Sequence, residues 1–290
     1  MNAPSPRALL AIGVLSVGAA APLIRLAHAP PLTAAFLRTV LGGAILLAIV
    51  IVRRVALPRG IDLARALACG AVLGVHFALW FVSLTMTTVA ASTVLVCIQP
   101  VFVALLAFVI LKERTPVRGL LGIAVAIGGA ALIALDTSTG TAPAAQPILG
   151  NLLAVAGAFV VAFYPIFGRK QDKRTDAIAF SAAVSLSAGA VLLVVALAFG
   201  APLVTPDASW PALVALALVP TVVGQTALNA ALRELPASTV AGSILGEPVI
   251  ATIVAYLVLA ETPGSATIAG SAVVLVGLYL LTVKARAPSL

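Results

Sequence analysis

Polar side chains recur at helical spacing in and just after the apolar stretch near residues 63–84. His76 and Trp80 are four residues apart, and Ser83 and Thr87 continue the same spacing. This spacing places all four on one face of an α-helix. An imidazole, an indole and two hydroxyls on one face would form the wall of a cavity for an amphipathic molecule. The alternative is structural, with the indole at the membrane interface and the imidazole bonded to a neighbouring helix.

Arg38 is a single basic residue within an apolar stretch, seven residues from its predicted outer end. A guanidinium group matches a carboxylate in a bidentate fork. Arg38 is therefore a candidate for binding a substrate carboxylate. The alternatives are that its side chain extends outward to the membrane surface or pairs with a backbone carbonyl.

Gln99 and Glu247 each lie directly before a proline and occupy equivalent positions in two similar stretches. A proline leaves a carbonyl one turn earlier without its helical donor, so both positions are candidates for binding a substrate amine or a proton. Burial disfavours the charged form of a carboxylate, which makes Glu247 a candidate proton carrier. A structural hydrogen bond is the alternative role for Glu247.

Three further polar residues lie in apolar stretches of the second half of the chain. Tyr164 is a candidate cavity aromatic. Gln225 and Asn229 are four residues apart and share a helical face. They are candidates either for contacts with a ligand or for hydrogen bonds between helices.

Four prolines interrupt apolar stretches: Pro22, Pro100, Pro165 and Pro248. A proline within a transmembrane helix removes a backbone hydrogen bond and favours a kink. These positions are candidate hinges, or else they shape static packing.

The elements that hold these side chains are long apolar stretches. Of the 290 residues, 62% are apolar and 9% are charged, whereas soluble globular chains carry about 25% charged residues. A membrane-crossing helix needs about 20 apolar residues. On that basis the sequence predicts an all-α integral membrane protein with ten transmembrane helices, at roughly 8–27, 31–52, 63–84, 88–111, 116–135, 148–168, 176–199, 208–232, 237–260 and 264–283.

The basic residues lie in alternate loops. If the chain crosses the membrane ten times, the loops and ends on one side carry fifteen Lys and Arg residues, and the opposite loops carry none. Since basic loops stay in the cytoplasm, we expect both termini to be cytoplasmic in a bacterial-type inner membrane. These charges mark loops and form no stripe with exposed aromatics, so no nucleic-acid partner is expected.

Two stretches repeat at a distance of 148 residues, QPVFVALLAFVILKE from Gln99 and EPVIATIVAYLVLAE from Glu247. A period this long indicates two homologous halves. We place the first five-helix repeat at 1–137, an external linker at 138–147 and the second repeat at 148–290. Basic residues follow the first copy but not the second, so the halves should cross the membrane in opposite senses. Inverted repeats are typical of secondary transporters, which bind substrate between the halves.

Four segments carry a resemblance to a known family: residues 31–47 (PLTAAFLRTVLGGAILL), 98–135, 232–261 and 267–281. They resemble the EamA-type family of the drug/metabolite transporter superfamily. The resemblance implies ten helices in two inverted five-helix repeats and alternating access for small metabolites. Through His76 and Trp80 the chain also resembles bacterial amino-acid exporters, with aromatic amino acids favoured.

The expected function is therefore export of amino acids, or of similar small zwitterions, by a secondary transporter. Arg38 would attract the carboxylate, Trp80 and Tyr164 would contact the substrate side chain, and Glu247 or Gln99 would meet the amine. Export of cationic drugs is the alternative within the same superfamily.

Other classes of function are disfavoured by missing motifs. An intramembrane enzyme would need a nucleophile and base, paired acids or a metal set, and the chain has no HExxH or GxSxG motif. Cys69 and Cys97 lack the spacing of a metal site or of a disulfide framework. We therefore expect no metal and no cofactor. The expected partners are a small-molecule substrate and the lipid bilayer, and a monomer suffices because one chain holds both halves.

Overall fold

All regular elements in the described part of the chain are helical. The computed structural model describes residues 4–86, 92, 95–96, 98–134, 146–172, 174–205, 209–259 and 264–282. Within these ranges, seven helices are long and apolar enough to cross a membrane: Pro6–Ile24, Pro31–Val52, Gly60–Ser83, Pro147–Arg169, Ala177–Ala198, Trp210–Leu232 and Ala237–Val258. Three shorter apolar helices are Gln99–Leu111, Val117–Leu132 and Ser265–Leu281. The all-α prediction is confirmed for these residues, whereas the number of crossings and the inverted arrangement stay predictions.

Several of these apolar helices are divided into shorter elements. The α-helices in chain order are α1 (Pro6–Gly18), α2 (Ala20–Ala27), α3 (Pro31–Val52), α4 (Gly60–Met86), α5 (Gln99–Leu106), α6 (Val117–Ala134), α7 (Pro147–Val161), α8 (Phe163–Arg169), α9 (Ala177–Ala198), α10 (Trp210–Leu216), α11 (Thr226–Leu232), α12 (Ala237–Ser243), α13 (Glu247–Leu259) and α14 (Ser265–Thr282). Ala107–Leu111 and Ala217–Gln225 are π-helical, and Ile244–Gly246 is a 3₁₀ turn. Most of the predicted linker at 138–147 lies outside the described residues.

Prolines account for two of the divisions. Pro22 lies in α2 and Pro165 lies in α8. Because a proline lacks an N–H and its ring clashes with the carbonyl four residues earlier, a helix is interrupted just before it. Accordingly α1 ends at Gly18 and α7 ends at Val161, each four residues before its proline.

The other two predicted hinge prolines lie at the beginning of helices. Pro100 and Pro248 are the second residues of α5 and α13, where a missing N–H costs little. The π-helical segment Ala217–Gln225 contains a further proline, Pro220, which the sequence prediction passed over. All these irregular segments belong to helices that surround one interior space.

Helix α6 packs closely against α14. A Cβ atom at Gly122 would lie 2.7 Å from the carbonyl oxygen of Gly277 and 2.8 Å from the backbone nitrogen of Leu281. Small residues permit this approach of two helix backbones, which is a common basis of helix association in membranes.

We predict that Gly122→Ala lowers the unfolding temperature of the purified protein by several degrees. The added methyl meets backbone atoms, which cannot yield as a side chain would, and overpacking of this kind costs roughly 1–3 kcal/mol. Gly128→Ala is the matched control, because beyond its chain neighbours and the backbone of its own helix no atom lies within 4 Å of its Cβ position. Thermal unfolding in detergent measures both variants, and equal unfolding temperatures would contradict the prediction.

Candidate functional site

A cavity of about 230 Å³ lies between the helices, lined by residues from α1 to α5, α7, α8 and α11 to α13, and from the π-helical and 3₁₀ segments that precede α11 and α13. Eight of the nine residues predicted to bind substrate line it: Arg38, His76, Trp80, Gln99, Tyr164, Gln225, Asn229 and Glu247. Three of the four predicted hinge prolines also line it: Pro100, Pro165 and Pro248. The fold thus brings together residues that are up to 210 positions apart in sequence. Their roles in binding stay predictions.

Arg38 lies in the first half of α3, with only 7% of its surface exposed. Its guanidinium carbon is 4.7 Å from the centre of the Phe77 ring, a cation–π contact that partly offsets burial. Its Nε is buried without a hydrogen-bond partner, and no acid in the described ranges forms an ion pair with it. A buried cation is costly in a membrane unless it is paired. Arg38 therefore presents a cation that an anionic group in the cavity would stabilise.

Glu247 is the first residue of α13 and is partly buried. The positive end of a helix dipole favours a negative charge at this position. Glu247 and Arg38 interact electrostatically, yet within the described part of the chain Glu247 forms no ion pair. The cavity therefore holds an acid and a base that attract each other without forming an ion pair.

An aromatic wall formed by His76, Phe77 and Trp80 of α4 lines the cavity. The His76 and Trp80 rings are stacked, with centroids 6.0 Å apart and planes 15° apart. The Nδ1 atom of His76 is 3.0 Å from the carbonyl oxygen of Gly157. Because a carbonyl only accepts, Nδ1 carries the proton, and Nε2 of the neutral ring remains an acceptor. The hydrogen bond to α7 fixes the orientation of the ring.

A polar hydrogen-bond network includes three residues of the cavity lining, Tyr164, Gln225 and Asn229. The hydroxyl of Tyr164 donates to Oδ1 of Asn229 at 2.6 Å and accepts from Nε2 of Gln225 at 2.6 Å. Nδ2 of Asn229 donates to the hydroxyl of Ser181 at 2.8 Å, and the backbone carbonyl of Asn229 accepts from Nε2 of Gln171 at 3.2 Å. Gln225 and Asn229 thus form hydrogen bonds between helices and also line the cavity, and their role as ligand contacts stays a prediction.

We predict that Tyr164→Phe destabilises the protein by roughly 1–3 kcal/mol, because it leaves buried polar groups of Gln225 and Asn229 unpaired. Tyr256→Phe is the matched control, since Tyr256 is 53% exposed on the outer surface of the helices. Thermal unfolding of the two variants side by side measures the difference. Equal losses would show that the Tyr164 hydroxyl does not stabilise the network.

The structure differs from the expectation at Ser83, which does not line the cavity. Pro22 also lies outside the lining, and its role as a hinge stays a prediction. The Ser83 hydroxyl donates to the carbonyl of Trp80 at 2.7 Å and shares a hydrogen bond of 2.6 Å with the hydroxyl of Ser92. A short hydroxyl side chain is readily satisfied by its own helix, so helical spacing alone does not place it in a cavity. Thr87 lies outside the described residues.

Apolar residues complete the lining, and the sequence prediction missed them. Phe77, Leu73, Val161, Leu228 and Leu245 are among them. Phe77 had one usable signal, since it is three residues before Trp80 and so on a neighbouring part of the same face. The aliphatic residues resemble every other apolar residue of the membrane helices and carried no such signal.

Comparison with known proteins agrees with this architecture. The model of the EamA-like transporter family matches residues 7–135 and 148–283. An uncharacterized transporter of Archaeoglobus fulgidus is 28% identical over 90% of this chain and 91% of its own length. A probable terminal-alkyne amino-acid exporter of Streptantibioticus cattleyicolor is 28% identical over 77% of this chain and 74% of its own length.

A crystal structure superposes on this chain with a TM-score of 0.82, covering 94% of this chain and 95% of that one at 20% sequence identity. At that identity the likeness supports the fold alone. The two family matches together span nearly the whole chain, and both copies contain cavity-lining residues. The chain belongs to the EamA-like transporter family, and it is a multi-pass membrane protein.

Proposed function

We propose that the protein is a secondary transporter that exports amino acids, with aromatic ones favoured, or similar small zwitterions across the bacterial-type inner membrane. The observation that carries this proposal is the presence of Arg38 and Glu247, without an ion pair between them, in one cavity. A zwitterion carries the two opposite charges that such a pair binds.

Arg38 is suited to the carboxylate of an amino acid. A guanidinium group donates two parallel hydrogen bonds to a carboxylate, and pairing would relieve the cost of burying its charge. Glu247, with Gln99 nearby in the lining, is suited to the ammonium group. A purely cationic substrate would be attracted by Glu247 but repelled by Arg38, which favours the zwitterion over a cationic drug.

The remaining lining indicates the size and polarity of the substrate. The cavity of about 230 Å³ is smaller than the roughly 300–1,000 Å³ typical of drug-binding pockets. His76, Phe77 and Trp80 offer ring faces, and the polar groups of Tyr164 and Asn229 are already paired. An apolar or aromatic side chain therefore suits this cavity better than a polar one.

Alternating access is the mechanism that we propose for the movement of substrate. Ten crossings arranged as two inverted repeats, with both termini in the cytoplasm, would bring the cavity between two similar halves. Pro100, Pro165 and Pro248 line the cavity at helix ends or breaks, where a helix bends most easily. Bending at these positions would expose the cavity to one side of the membrane at a time.

Efflux from liposomes that contain the purified protein tests the proposed function. The liposomes are preloaded with labelled phenylalanine, tryptophan, threonine or methyl viologen, and efflux is measured with and without a pH gradient. We expect phenylalanine and tryptophan to leave faster than threonine, and methyl viologen to be retained. Efflux of methyl viologen alone would favour a drug exporter, and retention of all four would overturn the substrate assignment.

A further inference from the structure

Four helical segments meet at the carboxylate of Glu113, outside the cavity. Oε1 of Glu113 accepts a hydrogen bond of 3.0 Å from Nε of Arg169, and Oε2 accepts one of 3.1 Å from the backbone nitrogen of Ala237. Nη1 of Arg169 donates in turn to the carbonyl of Arg233 at 2.9 Å. Glu113 follows the π-helical end of the α5 segment, Arg169 ends α8, Arg233 follows α11 and Ala237 begins α12.

These contacts lie one helical turn beyond one end of the cavity. Pro165, Leu232 and Val240 line the cavity, and each lies one to four residues from Arg169, Arg233 or Ala237 in the same helical segment or at its end. The predicted topology places this end on the cytoplasmic side, so we call it the inner end.

An apolar cluster lies next to both the Glu113 contacts and the cavity lining. Val103, Ile166, Ala237 and Ala241 are buried in one cluster with Leu232 and Val240. Leu111 and Leu235 pack against the same cluster. This cluster thus extends from the cavity lining to the residues that the hydrogen bonds of Glu113 hold together at the inner end.

A single carboxylate satisfies groups that helix ends leave without partners. The first N–H groups of a helix and the last carbonyls have no partner within it; here Glu113 accepts from the first N–H of α12 and holds Arg169 against the carbonyl that follows α11. The N-terminal end of α12 also stabilises a negative charge, because it is the positive end of the helix dipole. The Glu113 and Arg169 side chains are 25% and 27% exposed. Partly exposed ion pairs are weak, so this one can open and close repeatedly.

We propose that Glu113 is a latch that holds the inner end of the cavity closed and must release Arg169 and Ala237 before that end can open. This inference rests on the proposed transport function, since a latch has a role only if the cavity opens alternately. Glu113, an acid outside the cavity, would then control on which side of the membrane the cavity opens.

Two cysteine reporters on one helical segment test the latch. In a Cys69→Ala, Cys97→Ala background, Val240→Cys reports on the inner end. Ala251→Cys reports on the part of the cavity eleven residues further along that segment, about 16 Å away at 1.5 Å per residue. A membrane-impermeant maleimide is applied to inverted vesicles for the first reporter and to spheroplasts for the second, without any substrate.

We expect Glu113→Gln to speed the labelling of Val240→Cys by about 2- to 5-fold, as expected for the loss of a weak, partly exposed ion pair, and to slow the labelling of Ala251→Cys. Arg169→Gln should act in the same direction, and the double variant should add little, because both changes remove the same contact. Arg174→Gln is the control, since Arg174 pairs with Asp172 in an exposed loop and should change neither rate.

Two outcomes would overturn the latch. Unchanged labelling in Glu113→Gln would show that the carboxylate does not hold the inner end closed. Faster labelling of both reporters would show general loosening instead of a shift between two conformations. Because the assay contains no substrate, a wrong assignment of the substrate would leave its result intact, and a failed latch would leave the efflux results intact.

Discussion

Replacing Arg38 with alanine should lower the efflux of phenylalanine from proteoliposomes by about 30-fold or more, since truncating one partner of a buried charge pair costs roughly 2–5 kcal/mol. The reason is that Arg38 is a buried cation of the cavity lining and forms no ion pair with an acid in the described ranges. Without it, the carboxylate of the substrate would enter the cavity unpaired. Initial rates of efflux over a range of internal concentrations measure the loss.

A conservative variant separates charge from geometry at this position. Arg38→Lys keeps the positive charge but loses the planar fork that binds a carboxylate through two hydrogen bonds, so its rate should fall between those of the parent and Arg38→Ala. Arg174→Gln, in the exposed loop before α9, is the control for general effects of removing a base. Parent-like efflux in Arg38→Ala would show that the guanidinium does not bind the substrate.

The second large effect is expected at Glu247. Glu247→Gln should weaken the transport of phenylalanine by about 10-fold or more, because hydrogen bonds to charged groups contribute roughly 1.5–3 kcal/mol. The same variant should be inhibited more strongly than the parent by 3-phenylpropionate, which has the carboxylate but no ammonium group. Glutamine keeps the size of the side chain and removes only its negative charge, which repels the carboxylate of 3-phenylpropionate.

Competition against labelled phenylalanine measures this change of preference. The parent, Glu247→Gln and the loop control Asp172→Asn are assayed with unlabelled phenylalanine and with 3-phenylpropionate. We expect the ratio of the two inhibition constants to shift toward 3-phenylpropionate only in Glu247→Gln. An unchanged ratio would mean that Glu247 does not meet the ammonium group.

The helical class of the chain could be predicted because a membrane helix is a continuous apolar run of fixed length. Each of the ten predicted stretches overlaps a long or a shorter apolar helix of the structure. The irregular segments were harder to predict from the sequence. Pro165 indicates the break that follows Val161. The π-helical segment Ala217–Gln225 contains Pro220, but a proline alone does not specify a π-helix, and the segment also packs against α1 and α3.

The site could be predicted in part because polar residues in apolar runs are rare and costly. Such residues avoid lipid, so Arg38, Glu247 and Asn229 pointed to the interior. The same reasoning misplaced Ser83, whose hydroxyl bonds to its own helix. It also could not find Leu228 or Val161, because an apolar residue that lines a cavity resembles one that faces lipid.

Pairings across the fold could not be read from the chain. Glu113 stood out only as the end of a repeated stretch, and Arg169 only as a loop charge. They are 56 residues apart in sequence and meet because α8 and the α5 segment end at the same level. A contact of this kind depends on tertiary packing alone.

The most direct test of the account is calorimetric binding to the purified protein. L-phenylalanine is compared with phenethylamine, which lacks the carboxylate, and with 3-phenylpropionate, which lacks the ammonium group. If Arg38 and Glu247 bind the two charges of a zwitterion, phenylalanine should bind at least about 10-fold more tightly than either analogue, the ratio that corresponds to 1.4 kcal/mol. Binding of either analogue as tightly as phenylalanine would contradict the account.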